Sequence, residues 1–155
     1  MNQQIEEQKN SIDSSIDLFI KSQTALTIAT SENNIPYCAT CFYSFLENQE
    51  SFVFKSNRET QHIHEGIHNK YVAGTIVPDK SKICEIKGVQ FNGIFIEPSG
   101  DLLNEAKNSY YKKYPLAIDF KGDFWIIQLT NLKFTDNTLG FGKKIKWKKI
   151  IIPPF

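Results

Sequence analysis

The segment from Phe52 to Ile76, FVFKSNRETQHIHEGIHNKYVAGTI, predicts a strand, a polar turn, a short helix and a second strand. Residues 52–54 and 71–76 are apolar runs of high β-propensity. Between them lie six side chains that can donate hydrogen bonds: Ser56, Asn57, Arg58, Thr60, Gln61 and His62. Such donors suit an anion such as a phosphate, because the N–H groups at a helix N-terminus also attract negative charge. The alternative is an ordinary solvated turn in which Thr60 or Asn57 caps the helix.

Two further helices are predicted outside this segment. Residues 4–22, within an N-terminal segment of residues 1–22, carry apolar side chains at roughly helical spacing. The other helix has Ser99 as its expected N-cap, and Pro115 ends it.

The remaining apolar runs have the residue preferences of β-strands and are separated by turn residues about every ten positions. They cover residues 24–30, 35–46, 51–54, 71–76, 83–97, 124–129, 132–134 and 145–147. Gly88 and Gly93 lie inside one of these strands, where glycine suggests a β-bulge, a sharp barrel bend or the close approach of a ligand. About six or seven strands with inserted helices predict one small, mainly β barrel rather than a parallel α/β sheet.

Length and charge restrict the class of protein. The 155 residues are most simply a single domain, and the net charge of +1 gives no field that favours nucleic acid or an anionic membrane. The first ten residues lack the apolar core of a signal peptide, and no apolar run is long enough to span a bilayer, so we expect a cytoplasmic protein. Cys38, Cys41 and Cys84 are then expected to be thiols. The segment 143–155 is basic, which fits a solvated edge or a site for phosphate or a partner.

Two pairs of residues have the spacing of metal ligands, but neither pair predicts a metal site. Cys38 and Cys41 are three residues apart on a strand, so they point to opposite faces and lie about 10 Å apart. His64 and His68 could share one face of a helix, although no carboxylate or thiolate motif accompanies them and only Glu65 is near. We therefore interpret both histidines as surface residues of a short amphipathic helix and expect no metal.

Four stretches carry a family resemblance: TQH at 60–62, VAGT at 72–75, IKGVQFNG at 86–93 and, above all, KFTDNTLGFGKK at 133–144. Together they closely resemble the bacterial YhbP-type proteins of the pyridoxamine 5'-phosphate oxidase-like, FMN-binding split-barrel superfamily. The resemblance implies a six-stranded split β-barrel with Greek-key connections. It also implies a homodimer, with FMN in a groove at the interface and in contact with both chains.

The resemblance implies that the FMN phosphate lies at the start of the helix after the third strand. Family members usually have a Ser/Thr-Arg-Lys type motif there, whereas this chain has Thr60, Gln61 and His62, with Ser56 at the end of the strand. The change removes two permanent positive charges opposite a dianion, and each charge-assisted contact contributes about 1.5–3 kcal/mol. Affinity for FMN is expected to fall unless Arg58 or a protonated His62 compensates.

The same resemblance implies contacts to the rest of the flavin. The isoalloxazine ring is expected against the second strand, near Thr40 and Cys41, and Lys87 and Gly88 match a fifth-strand position that contacts the ring or the ribityl chain. Four residues fall where family members reach across the dimer to the flavin of the partner: Thr135, Asn137, Lys143 and Lys144. For the motif at residues 133–144, a structural turn that completes the dimer is an alternative of equal weight to contact with the flavin.

We predict from these features an FMN-binding protein that is a flavin-dependent oxidoreductase with a small-molecule substrate of unknown identity. No catalytic acid or base is assigned, because the flavin carries the electron chemistry. Pyridoxamine phosphate oxidase activity itself is not expected, because no basic residues for a second phosphate can be placed. The alternatives are a flavin-storage protein without turnover, a haem-binding or haem-degrading split barrel that uses His62, His64 or His68, and a structural dimer without ligand.

Overall fold

The computed structural model describes residues 10–140 and 143–150, and within them it contains seven strands and three α-helices. The strands are β1 (Ala25–Glu32), β2 (Ile35–Leu46), β3 (Ser51–Ser56), β4 (Tyr71–Ile76), β5 (Lys87–Ile96), β6 (Asp123–Asp136) and β7 (Lys144–Lys148). The helices are α1 (Ser14–Ser22), α2 (Gln61–His68) and α3 (Gly100–Lys113). Among these described helices, none has the length and hydrophobicity needed to cross a bilayer.

Six of the strands close into a barrel. They pair in the order β3-β2-β1-β4-β5-β6, and β6 pairs back with β3. The order β4-β1-β2-β3 is a Greek key, because the chain returns from β3 through α2 to place β4 beside β1. The strand β7 pairs with residues 131–135 of β6, beyond the stretch that pairs with β3. The predicted six-stranded split barrel is therefore confirmed, with β7 as an added strand.

Alternating side chains of the strands fill the barrel. Every second residue of β1 and β5 is buried over most of each strand. The largest fully buried side chains are aromatic and include Tyr43, Phe52, Phe54, Trp125 and Phe134. Burying one such side chain contributes about 1.5–3 kcal/mol, so the aromatic residues account for a large part of the stability of the core.

The helix α2 packs mainly on β1 and connects β3 to β4 within residues 52–76. Its buried face consists of His62, Ile63, Glu65 and Gly66. Glycine is required at position 66 because a Cβ atom there would lie 2.8 Å from the ring of Phe95.

Two predicted boundaries are corrected. The predicted helix over residues 4–22 begins at Ser14 within the described residues, because Asp13 is extended and its carboxylate accepts a hydrogen bond from the Ser15 N–H; residues 4–9 lie outside the described residues. The predicted strand over 83–97 begins at Lys87, because Cys84 has a left-handed backbone (φ 71°) that breaks a β-ladder.

The strand β6 is continuous over residues 123–136, but it has an irregularity at the predicted break. Asn92 pairs with Asn131 and Gly93 pairs with Leu129, so Thr130 is an extra residue of β6 that has no partner in the β5–β6 ladder. The bulge suggested by Gly93 therefore lies in the facing strand, next to the residue that pairs with Gly93.

Candidate functional site

The turn between β3 and α2 brings three of the predicted phosphate ligands together. The Ser56 hydroxyl lies 3.0 Å from Nε2 of His62 and 3.4 Å from the Thr60 hydroxyl. The Thr60 hydroxyl also donates to the carbonyl of Asn57 at 2.8 Å, which fixes the shape of the turn. The residues that the sequence grouped around an anion are thus neighbours in space.

His62 points into the protein. Its side chain is 9% exposed, and its Nε2 lies 3.8 Å from Sγ of Cys41 on β2. Burial lowers the pKa of His62, and the carboxylate of Glu65 offsets only part of that effect. His62 is therefore neutral at physiological pH and does not provide the positive charge that its protonation would bring to the turn.

Cys41 is the thiol beside this turn. Burial raises the pKa of Cys41 to about 11, so the thiol stays protonated at neutral pH. Cys38 is exposed while Cys41 is buried, as predicted for two residues on opposite faces of a strand, and both are free thiols. Thr40 is exposed between them.

The N-terminus of α2 keeps its capacity to bind an acceptor. Thr60 is the N-cap residue, but its side chain makes no capping hydrogen bond. The first N–H groups of a helix have no partner inside the helix, so here the Thr60 side chain leaves them to other acceptors. Gln61 is exposed and its amide donates to Glu65 at 2.9 Å. The turn therefore offers mostly neutral donors, together with the positive end of the helix dipole.

Arg58 lies beside this turn, where two carboxylates engage it. Its guanidinium forms an ion pair with Glu97 and lies 3.7 Å from Oδ2 of Asp123. It also lies over the ring of Trp125, 4.9 Å from the centroid. No sequence pattern indicated these partners, which come from other elements. Arg58 can compensate for the absent Arg-Lys pair only by leaving the two carboxylates.

The second group of predicted residues lies where β5 begins and β6 ends. Backbone pairing places Gly88 opposite Thr135, and Thr135 opposite Lys144. Lys87 is the first residue of β5, next to Gly88, and Lys143 is exposed just before β7. The structure thus brings the fifth-strand residues and the C-terminal motif together within one chain.

Lys87 has a buried partner. Its ammonium lies 3.4 Å from the carboxylate of Asp136, which also accepts hydrogen bonds from the N–H and the hydroxyl of Thr138. Burial raises the pKa of Asp136, but the bonds from Thr138 and the charge of Lys87 outweigh it, so the pKa lies below its ordinary value.

Asn137 holds the loop before β5. Its Oδ1 accepts from the N–H of Ile86 at 2.8 Å, and its Nδ2 donates to the carbonyl of Cys84 at 3.1 Å. This structural role agrees with the alternative of a structural turn for the motif over residues 133–144. Phe141 and Gly142 of that motif lie outside the described residues.

Gly88 has a structural reason to be glycine. A Cβ atom there would lie 2.9 Å from the carbonyl oxygen of Ile76 on β4. The close approach that this glycine suggested is therefore made by the neighbouring strand.

The two groups of predicted residues lie at opposite ends of β6. Ser56 pairs with Asp123 at its start, and Gly88 pairs with Thr135 near its end. The two groups are closer across the sheet, because Cys41, which lies beside His62, is on β2, and β2, β1, β4 and β5 pair side by side up to Gln90, two residues from Gly88. Three strand spacings amount to about 15 Å, so the pairing alone does not assign the two groups to different chains.

The first half of β2 has an open edge. Because β3 pairs with residues 43–46 of β2, residues 35–42 have a partner on the β1 side only, within the part of the chain that the structure describes. Ile35 and Phe42 expose apolar side chains there, 69% and 61% accessible. Thr40 lies on the same stretch, so one of the positions expected to face the isoalloxazine ring borders this open edge.

A groove of about 880 Å³ is lined by residues of β1, β2, β4, β5, β6 and β7 and includes none of the predicted site residues. Its lining has small side chains such as Ala29, Ala73 and Gly74, and Lys146 and Lys148 lie at its β7 side. Sequence reasoning missed this groove because its lining comes from six strands, although three of the stretches that carry the resemblance contribute to it.

The chain is similar in sequence to curated bacterial proteins. It is 35% identical over 135 residues to a UPF0306 protein of Yersinia pseudotuberculosis, covering 87% of this chain and 92% of the relative. It is 37% identical over 134 residues to a UPF0306 protein of Photorhabdus laumondii, covering 86% of this chain and 94% of the relative. No family model matches the chain.

Solved structures share the fold. A haem-binding protein of Mycobacterium smegmatis superposes with a TM-score of 0.70 at 19% identity over 82% of this chain, which spans about half (53%) of that protein. An FAD-binding protein of Mesorhizobium loti gives 0.64 at 12% identity, over 81% of this chain and 95% of that one. A protein of the pyridoxine phosphate oxidase family from Clostridium acetobutylicum gives 0.62 at 16% identity, over 86% and 92%. At such identities these likenesses concern the fold.

Proposed function

Because the chain belongs to the UPF0306 family and has a split-barrel fold, we propose that it binds FMN between two copies of itself and acts as a flavin-dependent oxidoreductase. The observation that carries this proposal is the donor set at the start of α2. The hydroxyl oxygens of Ser56 and Thr60 lie 3.4 Å apart there. They lie next to the first N–H groups of α2, to which the side chain of the N-cap residue Thr60 makes no hydrogen bond.

The donor set fits a phosphate in polarity, although its charge differs from the usual motif. The Ser56 hydroxyl, the Gln61 amide and the N–H groups of α2 would hold the phosphate oxygens, and the Thr60 hydroxyl would join them by exchanging its bond to the Asn57 carbonyl for one to the phosphate. His62 would orient the Ser56 hydroxyl through their 3.0 Å contact. Since His62 is neutral, Arg58 is the cation in the turn that can add charge. We therefore expect weaker FMN binding than an Arg-Lys pair would give.

A second copy of the chain would complete the site. In this proposal Thr135, Lys143 and Lys144 contact the flavin that is held at the turn of a partner chain, as the resemblance implies. The open edge of β2, with Ile35 and Phe42 exposed, supports such a pairing, because exposed apolar surface and unpaired strand edges mark protein contacts.

The flavin, when bound, would supply the electron transfer. Beside it, the protonated Cys41 thiol and the neutral His62 would provide a site with little charge, in which the protein orients the ring and limits access of water. Neither side chain is poised as a nucleophile or a strong base, so the residues present support redox work by a cofactor more than hydrolysis.

The direct test is an absorbance spectrum of the purified chain before and after incubation with excess FMN and desalting. Flavin bands at about one FMN per chain would support the proposal, and a chain that stays colourless would contradict it. A Soret band instead would favour the haem-binding alternative. Oxidation of a reduced nicotinamide by the flavin-loaded chain would then separate an oxidoreductase from a storage protein.

The phosphate assignment is tested by Thr60→Ala. Loss of the hydroxyl removes one donor from the turn, and we expect FMN affinity to fall about threefold to tenfold. The matched control is Ser99→Ala, because Ser99 is also a helix N-cap without a side-chain capping bond. Equal FMN affinity of the two variants in a fluorescence titration would refute the assignment.

A further inference from the structure

Three side chains meet at the end of α2 that is remote from the phosphate turn. The ligand atoms of Glu32, His64 and His68 all lie within 4.8 Å of one another. We propose that these three residues form a binding site for a divalent transition-metal ion such as Zn²⁺. The proposal is independent of flavin binding and replaces the expectation that both histidines are ordinary surface residues.

The two histidines are arranged as a pair of ligands. They lie one turn apart on α2, and their ring centroids are 4.3 Å apart. Nδ1 of His68 lies 2.7 Å from the carbonyl oxygen of His64. A carbonyl can only accept, so Nδ1 of His68 carries the proton and its Nε2 keeps a lone pair. A metal-binding histidine usually has such a bond on its other nitrogen, which fixes the ring and its tautomer.

Glu32 provides the third ligand from a rigid position. It is the last residue of β1 and pairs with Ile35 across a two-residue turn, in which Asn33 and Asn34 have left-handed backbones (φ 51° and 64°). Its Oε2 lies 3.8 Å from Nδ1 of His64. Two ligands of one tetrahedral zinc ion lie about 3.3 Å apart, so a small rotation of exposed side chains brings these atoms to coordination distance.

A separate hydrogen bond fixes the hairpin to the helix. The side-chain amide of Asn69, which follows α2, donates to the carbonyl of Ser31 at 3.2 Å and to its hydroxyl at 3.1 Å. Because Ser31 precedes Glu32, this contact holds the carboxylate near the two imidazoles. The site is therefore preorganised by backbone pairing and by a polar bridge.

The local charge favours a dication. Two carboxylates are close to this site, that of Glu32 in the cluster itself and that of the buried Glu65, which is next to His64 in the chain. A simple His64–Glu32 ion pair would leave His68 without a role.

The expectation that no carboxylate motif accompanies these histidines is wrong, because residues 64–68 (HEGIH) match the H-E-x-x-H motif, in which the glutamate activates water for a metallopeptidase. Here both carboxylate oxygens of Glu65 are already occupied, one by the Thr30 hydroxyl at 2.6 Å and the other by the Gln61 amide at 2.9 Å. Glu65 is therefore not available as a base, and the geometry points to metal binding rather than peptide hydrolysis.

The test is a calorimetric titration of the metal-free, untagged full chain with ZnCl₂. We expect one Zn²⁺ per chain, about tenfold or greater loss of affinity in His64→Ala, His68→Ala and Glu32→Gln, and little change in Glu47→Gln. Glu47 is a matched control because it is an exposed carboxylate at another turn after a strand. Without metal, the melting temperature should be the same for the wild type and all variants. Added Zn²⁺ should raise the melting temperature of the wild type and of Glu47→Gln, but not that of His64→Ala, His68→Ala or Glu32→Gln.

A Co²⁺ spectrum distinguishes these ligands from thiols. Coordination by Glu32, His64 and His68 gives weak visible bands without the intense sulfur-to-cobalt band that exposed Cys38 or Cys84 would cause. A sulfur band, unsaturable binding, or unchanged Zn²⁺ affinity in both histidine variants would overturn the proposal.

Discussion

At the scale of single residues, Asp136 tests the electrostatics of the second group. The folded-state pKa of this buried carboxyl lies below its ordinary value of 3.8, so its charge stabilises the fold above that pH, and this stabilisation is lost as the pH falls through the lower, folded-state pKa. Asp136→Asn is expected to reduce the free energy of unfolding by about 1–3 kcal/mol at pH 7, and by less at pH 3. Urea unfolding at both pH values measures the difference.

The exposed Asp119 provides the control for that experiment, since Asp119→Asn should change stability by no more than about 0.5 kcal/mol. An equal loss in Asp136→Asn at pH 7 and pH 3 would show that the hydrogen bonds accepted from Thr138 matter and that the charge does not.

Substitutions at Arg58 and Glu97 are expected to change FMN affinity in opposite directions. If FMN binds at the turn, Glu97→Gln frees the guanidinium for the phosphate and should strengthen binding, whereas Arg58→Gln should weaken it. Each effect is limited to about fivefold, because exposed ion pairs contribute at most about 1 kcal/mol. FMN titrations at low and high salt measure this, and both effects should shrink at high salt. No change in either variant would show that Arg58 does not reach the phosphate.

His62 shows the limit of sequence reasoning at this scale. The residue types in the polar turn predicted where Ser56, Thr60 and His62 would meet, because turn and cap preferences are local. The direction of the His62 side chain depends on Cys41, 21 positions earlier on another strand. Whether this histidine can be charged was therefore beyond the reach of any local pattern.

At the scale of elements, Gly74 tests how tightly β1 and β4 pair. A Cβ atom at this position would lie 2.2 Å from the carbonyl oxygen of Thr27 and 2.3 Å from the ring of Phe91. The oxygen belongs to the backbone of β1, so it cannot move without separating the strands. Gly74→Ala is expected to cost about 1–3 kcal/mol or more, measured by chemical unfolding. Thr75→Ser on the same strand is the control, and equal stability of the two variants would mean that this ladder is loose.

The boundaries of the elements were predictable where turn residues enclose a strand. β2 and β4 have the predicted bounds, because Asn33–Asn34 and Glu47–Glu50 flank the first, and Asn69–Lys70 and Pro78 flank the second. The predicted start of β5 at residue 83 was wrong, because the apolar residues Ile83 and Ile86 have the pattern of a strand. Their actual conformation depends on Asn137, whose amide bonds Cys84 from 53 positions away.

At the scale of the whole molecule, strand count and the family resemblance were enough to predict the barrel, since pairing six antiparallel strands in a closed order covers most of their edges. The candidate site could be predicted only as a set of residues. The barrel divides that set into two groups, one at the turn before α2 and one where β5 begins and β6 ends. The sequence lists both groups without stating whether one chain or two chains join them.

This division leads to a test by mixing two defective chains. One chain carries Ser56→Ala and Thr60→Ala in the turn, and the other carries Lys143→Ala and Lys144→Ala in the second group. In a dimer with shared sites, each mixed pair has one site with both groups intact and one with both altered. Unfolding the two variants together and refolding them at equal amounts should thus restore tight FMN binding to about a quarter of the sites. Each variant refolded alone should show none, and wild-type chain refolded alone controls for recovery. If the mixture binds no more FMN than the separate variants, each site lies within one chain, and the proposed interface is wrong even if the flavin itself binds.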